Sequence, residues 1–152
     1  MANQTKDKMQ VKLQRVIKAP PEKVWQFVGT EQGLKEWLGP KEYKPKVGAR
    51  VFFDVQHEGH YHMDGEVVIY DPPRELAFTW RETEVGGESW PAYTTVRITL
   101  EPISEGTLVT LLHEGFENLP AAIAQAQYEG YQRGWEMLHD LDVLAERVEA
   151  AA

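Results

Sequence analysis

Three histidines fall within six positions in the segment QHEGHYHMDG, and a fourth, His113, ends an apolar run. Imidazole titrates near neutral pH and, as the neutral ring, ligates divalent metals. His60 and His62 are two apart and would share one face of a strand, with His57 across a turn and Glu58 or Asp64 nearby. A dedicated zinc site needs three or four converging, well-supported ligands, which spacing alone does not supply, so an exposed hairpin without bound metal is expected. His113 shares parity with Val109 and Leu111, which turns its ring inward, where it must find a hydrogen-bond partner or water. It is either a satisfied structural histidine or the polar part of a pocket. Tyr128 and Tyr131 offer an apolar body with a hydroxyl and Trp80 one N–H, so together they could orient a ligand with one polar end. Glu82 has the parity of Trp80 and, if desolvated at a pocket mouth, would have a raised pKa suited to proton transfer. Asp54 and Gln56 lie on the face opposite Phe53, which argues against them.

No Gly-x-Ser-x-Gly elbow, phosphate-cradling glycine loop or cysteine occurs, so no catalytic residue and no cofactor are assigned. The absence of cysteine excludes disulfides and thiol nucleophiles and fits a reducing compartment. Sixteen basic against twenty-four acidic residues give a net charge of −8, which removes any general attraction to nucleic acid or anionic membrane. The polar start MANQTKDKMQ lacks an apolar signal core and no long apolar run follows, so a soluble cytoplasmic protein is expected. The 152 residues suit one domain over 1–152.

The elements that would position these groups follow from hydrophobic period. Residues 10–19 read as a strand ended by Pro20 and Pro21. PEKVWQFV and TEQGLKEWLGP read as two short helices, with Thr30 capping the second and Gly39-Pro40 stopping it. From Tyr43 to about Phe116 the pattern has period two, broken by short turns, which favours an antiparallel meander. One long helix is expected over 118–149, capped by Asn118, with a bend or a close approach near Gly130 and Gly134.

Parity places Phe53, Val67, Ile69, Phe78, Trp80, Val96, Ile98, Val109 and Leu111 on one sheet face, with Tyr128, Tyr131, Trp135 and Leu138 of the long helix looking back. Burial at about 25 cal/mol per Å² explains such a face as core, yet a ligand pocket is also mostly apolar. Trp37 and Trp90 sit in segments that could be exposed, as anchors for a partner or as lids.

RVIKAPPEKVWQFV, LKEWLGP, GEVVIYDPPRELAFTW, TTVRITLEP, GTLVTLLHEGF and GWEMLHDLDVL, in this order, resemble the signatures of the ATPase-activator homologues of the START-like, birch-pollen-allergen-like (SRPBCC) superfamily. The resemblance covers 11–148 and implies an α+β helix-grip fold: a curved antiparallel sheet around a long C-terminal helix, with two short helices after the first strand. Superfamily members include lipid and hormone binders, aromatase/cyclases and oxygenase domains. By this resemblance the protein is expected to bind a small apolar or amphipathic molecule between sheet and helix, as a carrier, sensor or stress-related protein, with Trp37 capping the pocket. Such a pocket would open between Trp80, His113 and Trp135 and needs a few hundred Å³. The family is named for a co-chaperone whose carboxy-terminal half alone this chain resembles. A co-chaperone-like partner module or homodimer is therefore one alternative, and a cyclase- or hydrolase-type enzyme is the other.

Overall fold

A computed structural model describes residues 8–151. Of the first eight or so residues, which the polar sequence suggests are loose, the first seven lie outside them. The chain runs β1 (Gln10–Ile17), α1 (Pro21–Val28), α2 (Glu31–Trp37), β2 (Arg50–Gln56), β3 (His60–Asp71), β4 (Glu75–Glu84), β5 (Thr94–Ile103) and β6 (Gly106–Glu114). A 3-10 turn (Phe116–Asn118), α3 (Ala121–Leu138) and α4 (Asp140–Ala150) follow. The six strands form one antiparallel sheet in the order β1-β6-β5-β4-β3-β2, with the helices gathered on its inner face. This is the expected α+β helix-grip fold.

Period two sets the sheet. Thr94, Val96, Ile98 and Leu100 of β5 are buried in alternation, as are Thr107, Val109, Leu111 and His113 of β6. The register pairs Val96 with His113 and Ile98 with Leu111, so those side chains share a face. Arg15, whose face the sequence leaves open, pairs with Val109 and so lies on the inner face, where its guanidinium bonds Asp142 of α4.

Thr30 caps α2 by accepting from the Gly33 N–H at 3.0 Å. A Cβ on Gly33 would stand 2.0 Å from the Gln26 carbonyl, so only glycine lets α2 approach α1 this closely. Trp37 closes that corner, donating to the Phe27 carbonyl at 2.6 Å.

Four expectations change. The C-terminal helix is two helices, because His139 adopts the left-handed conformation at φ 54° and redirects the chain. Pro120 rather than Asn118 stands at the start of α3, and α3 runs unbroken through Gly130 and Gly134. In β3 the pairing slips between Val67 and Ile69: Val67 opposes Phe78, whereas Ile69 opposes Ala77. Val68 is the extra residue of this bulge, so Ile69 turns to the outer face and does not join the inner set.

Candidate functional site

Phe53, Phe78, Trp80, Val96, Ile98, Leu111 and His113 are all at most 5% exposed on the inner face. Tyr131 and Trp135 project onto them from α3, while the half-buried Tyr128 packs on Phe116 and donates to the Gln10 carbonyl at 3.2 Å. Leu138 is 66% exposed and belongs to neither core nor pocket, because it lies in the last turn of α3 just before the chain turns at His139. Trp37, expected as a cap, is buried between α1 and α2 with its N–H spent on backbone.

The space expected to hold a ligand is occupied by side chains. The Trp80 ring centre lies 5.5 Å from His113 and 6.2 Å from Trp135, and His113 to Trp135 spans 6.1 Å. These are contact distances for aromatic rings. Trp90 and Phe116 complete the cluster, each 5.5 Å from Tyr131. The sequence offers Trp90 only as an anchor or lid and does not point to Phe116. Trp90 is 5% exposed despite its glycine-rich turn, and Phe116 follows the last strand, where period two has ended.

Two hydrogen-bonded chains run through this cluster. In the first, the Trp135 indole donates to Nδ1 of His113 at 3.1 Å, and Nε2 lies 2.7 Å from the Thr94 hydroxyl, which donates to the Trp80 carbonyl at 2.9 Å. With Nδ1 accepting, Nε2 carries the proton and donates to Thr94. Every polar atom is then satisfied with a neutral ring, and burial pushes the imidazole pKa down to about 3. Thr94 could have been found from its parity with Val96 and Ile98.

In the second chain, the Trp80 indole donates to the Tyr131 hydroxyl at 3.0 Å, and that hydroxyl donates to Oε1 of Glu82 at 2.7 Å. Desolvation raises the Glu82 pKa above the usual carboxylate value, only partly offset by the tyrosine hydrogen bond. Burial first, then the Glu82 carboxylate, push the Tyr131 phenol well up, so it stays a donor. Glu82 thus ends the chain at the rim, where an open cleft of about 590 Å³ lies between the β4–β5 connection and the start of α3. Tyr61, Glu82, Glu84, Trp90, Ile123 and Gln127 are among its walls. A convergence of Glu82, His113 and a tyrosine would mark an acid–base site. Glu82 and Tyr131 meet, but both His113 nitrogens are engaged elsewhere.

A curved antiparallel sheet closed by C-terminal helices, with two short helices after β1, defines the helix-grip class of START-like proteins. The chain belongs to the family of activator of Hsp90 ATPase homolog 1-like proteins, whose model matches residues 18–149. Among solved structures it is similar to protein MLL2253 of Mesorhizobium loti, at 24% identity and TM-score 0.72, covering 94% of this chain and 98% of that one. It is also similar to the Aha1 dimer of Colwellia psychrerythraea, at 21% identity, TM-score 0.61 and coverage of 93% and 96%. DynU16, a putative protein in the dynemicin biosynthetic locus, matches at 23% identity and TM-score 0.68, over 93% of this chain and 48% of its own. Comparison with curated proteins finds no match. Among the described residues, no helix is long and apolar enough to cross a membrane.

Proposed function

We propose that this protein binds a small amphipathic molecule, as a carrier or sensor, with its polar end at Glu82, which Tyr131 holds from behind, and its apolar body against Trp90, Ile123 and Tyr61. The observation that carries this reading is Glu82, a carboxyl drawn out of water at the edge of an open cleft and tied through Tyr131 to Trp80. A partly desolvated acid costs stability, and at the edge of a cleft walled by both polar and apolar side chains it supplies an oriented polar contact. Glu84 and Glu88 on the rim disfavour an anionic head group, so the polar end is uncharged or cationic. Entry deeper into the sheet would come by release of α3, of whose eighteen residues only Ala124 and Trp135 are fully buried.

The test is thermal denaturation against a panel of apolar and amphipathic compounds, with W90A and E82Q beside the wild type. A compound that raises the wild-type Tm and does so less in both variants supports the reading. A panel with no effect on the wild type, or hits untouched by either substitution, would refute it.

A second reading, a homodimer, is favoured by the adjacent, exposed Met137 and Leu138 at the end of α3. The similar Colwellia protein is described as a dimer. Light scattering of the wild type and of M137E/L138E decides it: a dimer lost in the variant supports that reading, and a wild-type monomer refutes it.

A further inference from the structure

On the outer face of the β2–β3 hairpin, away from the cleft, Asp54, His60 and His62 bring one carboxylate and two imidazoles together, with their ligating atoms within 4.8 Å of one another. We propose that these three side chains form a binding site for a divalent transition metal of the zinc, nickel or cobalt type.

The register explains the cluster. Asp54 and His62 are directly opposed across the ladder, and His60, two residues along the same strand, returns to the same face. Nε2 of His60 lies 2.6 Å from Oδ1 of Asp54, and Nε2 of His62 lies 3.4 Å from that same oxygen. One hydrogen bond would account for one histidine. A second imidazole nitrogen turned to the same oxygen, at 3.4 Å, is also the spacing that ligands of one shared cation take. Ligands held about 2.0 to 2.2 Å from a metal stand roughly 3 to 3.5 Å apart; the His60 and His62 nitrogens lie within 4.8 Å of each other, and the Asp54–His60 pair must open by less than about 1 Å. Both side chains are partly exposed and free to do so.

The Phe52 ring, 4.9 Å from that of His62, holds one ligand in place, and the two imidazoles meet edge to face at 5.1 Å. Two imidazoles and one carboxylate suit zinc, nickel, cobalt or ferrous iron, and leave coordination positions open to solvent. Calcium and magnesium, which require oxygen ligands, are excluded. The net charge of −8 favours any cation.

The sequence pointed to His57, Glu58 and Asp64 as companions, and the fold replaces them. His57 and Glu58 are more than 80% exposed on the hairpin turn, and Asp64 is held by Arg81 and Tyr93. Asp54 faces away from the core, which argues against it at an inner pocket but puts it on the side where the histidines stand. Tyr61, between the two histidines, points the other way and lines the cleft. A metal on this hairpin would therefore stiffen one cleft wall from behind.

The experiment is calorimetric titration of tag-free, chelator-stripped protein with zinc and nickel chloride, alongside long-range imidazole NMR spectra. One equivalent is expected to bind, shifting the resonances of His60 and His62 and leaving those of His113 unmoved. D54A and H62Q are each expected to weaken binding roughly tenfold or more, with H57Q unchanged. Zinc at a hundredfold excess over the wild-type Kd should raise the wild-type Tm by roughly 5 °C or more and that of H62Q by about half as much or less. Absence of saturable binding, or binding that survives both D54A and H62Q in variants of unchanged circular dichroism, would overturn the proposal.

Discussion

The indole N–H of Trp135 donates to Nδ1 of His113 across 3.1 Å, so this bond from α3 into the sheet exists only while that imidazole is neutral. A protonated ring has no acceptor to offer, and its other nitrogen is already committed to Thr94. Acid should therefore act on the seam between α3 and the sheet.

The direction follows from linkage. The folded pKa of His113 is about 3 and the unfolded value 6.5, so between them the unfolded chain takes up a proton that the folded chain refuses. Stability is insensitive to this group above about pH 6.5 and falls as pH drops toward 3, by about 1.4 kcal/mol per unit. Chemical denaturation at pH 7 and pH 5 is expected to cost the wild type about 2 kcal/mol more than H113Q, since the variant has no such proton to gain. Equal losses in the two proteins would show that His113 is not the sensitive group.

Asp140 carries the opposite dependence. Burial raises its carboxyl from 3.8 to about 6 at the start of α4, so its contribution to stability is lost as pH rises between those values. The helix N-terminus favours the charged form and water still reaches the side chain, which reduces the cost. D140N is expected to stabilise the protein at pH 7 by about 1 kcal/mol and to make little difference at pH 4, as read from denaturant midpoints.

Gly130 and Gly134 test whether α3 is deliberately weak. Nothing lies within 4 Å of where a Cβ would stand at either position, so alanine fits without displacing a neighbour. Each substitution should stabilise by about 1 kcal/mol, with slower hydrogen exchange confined to α3. If ligand entry requires α3 to open, G130A/G134A will also bind its ligand more slowly.

The sheet was legible because alternation is a local property: Val96, Ile98, Val109, Leu111 and His113 each declare a face by counting in twos. The count fails where one residue is inserted, and nothing in the run Glu66-Val67-Val68-Ile69 marks Val68 as the bulge that sends Ile69 outward. The turn at His139 was hidden for a related reason, since neither proline nor glycine occupies it and a left-handed histidine is a tertiary outcome. Leu138, apolar and in helical phase, was placed inside for want of that break.

The candidate site was legible in its residues more than in its shape. Trp80, Tyr131, Trp135 and Glu82 were all named, but whether their rings stand apart or touch depends on how closely α3 lies on the sheet. Pattern carries no such distance. Contact between Trp80, His113 and Trp135 moves the open volume outward, to the cleft beside Glu82 and Trp90.

The most direct test of ligand binding is native mass spectrometry of the protein purified from its own host, followed by denaturing extraction of whatever it carries. A single amphipathic molecule is expected at one equivalent in the wild type, lost or sharply reduced in W90A and E82Q. A wild-type protein that arrives empty, and whose Tm no apolar or amphipathic compound moves, would contradict it.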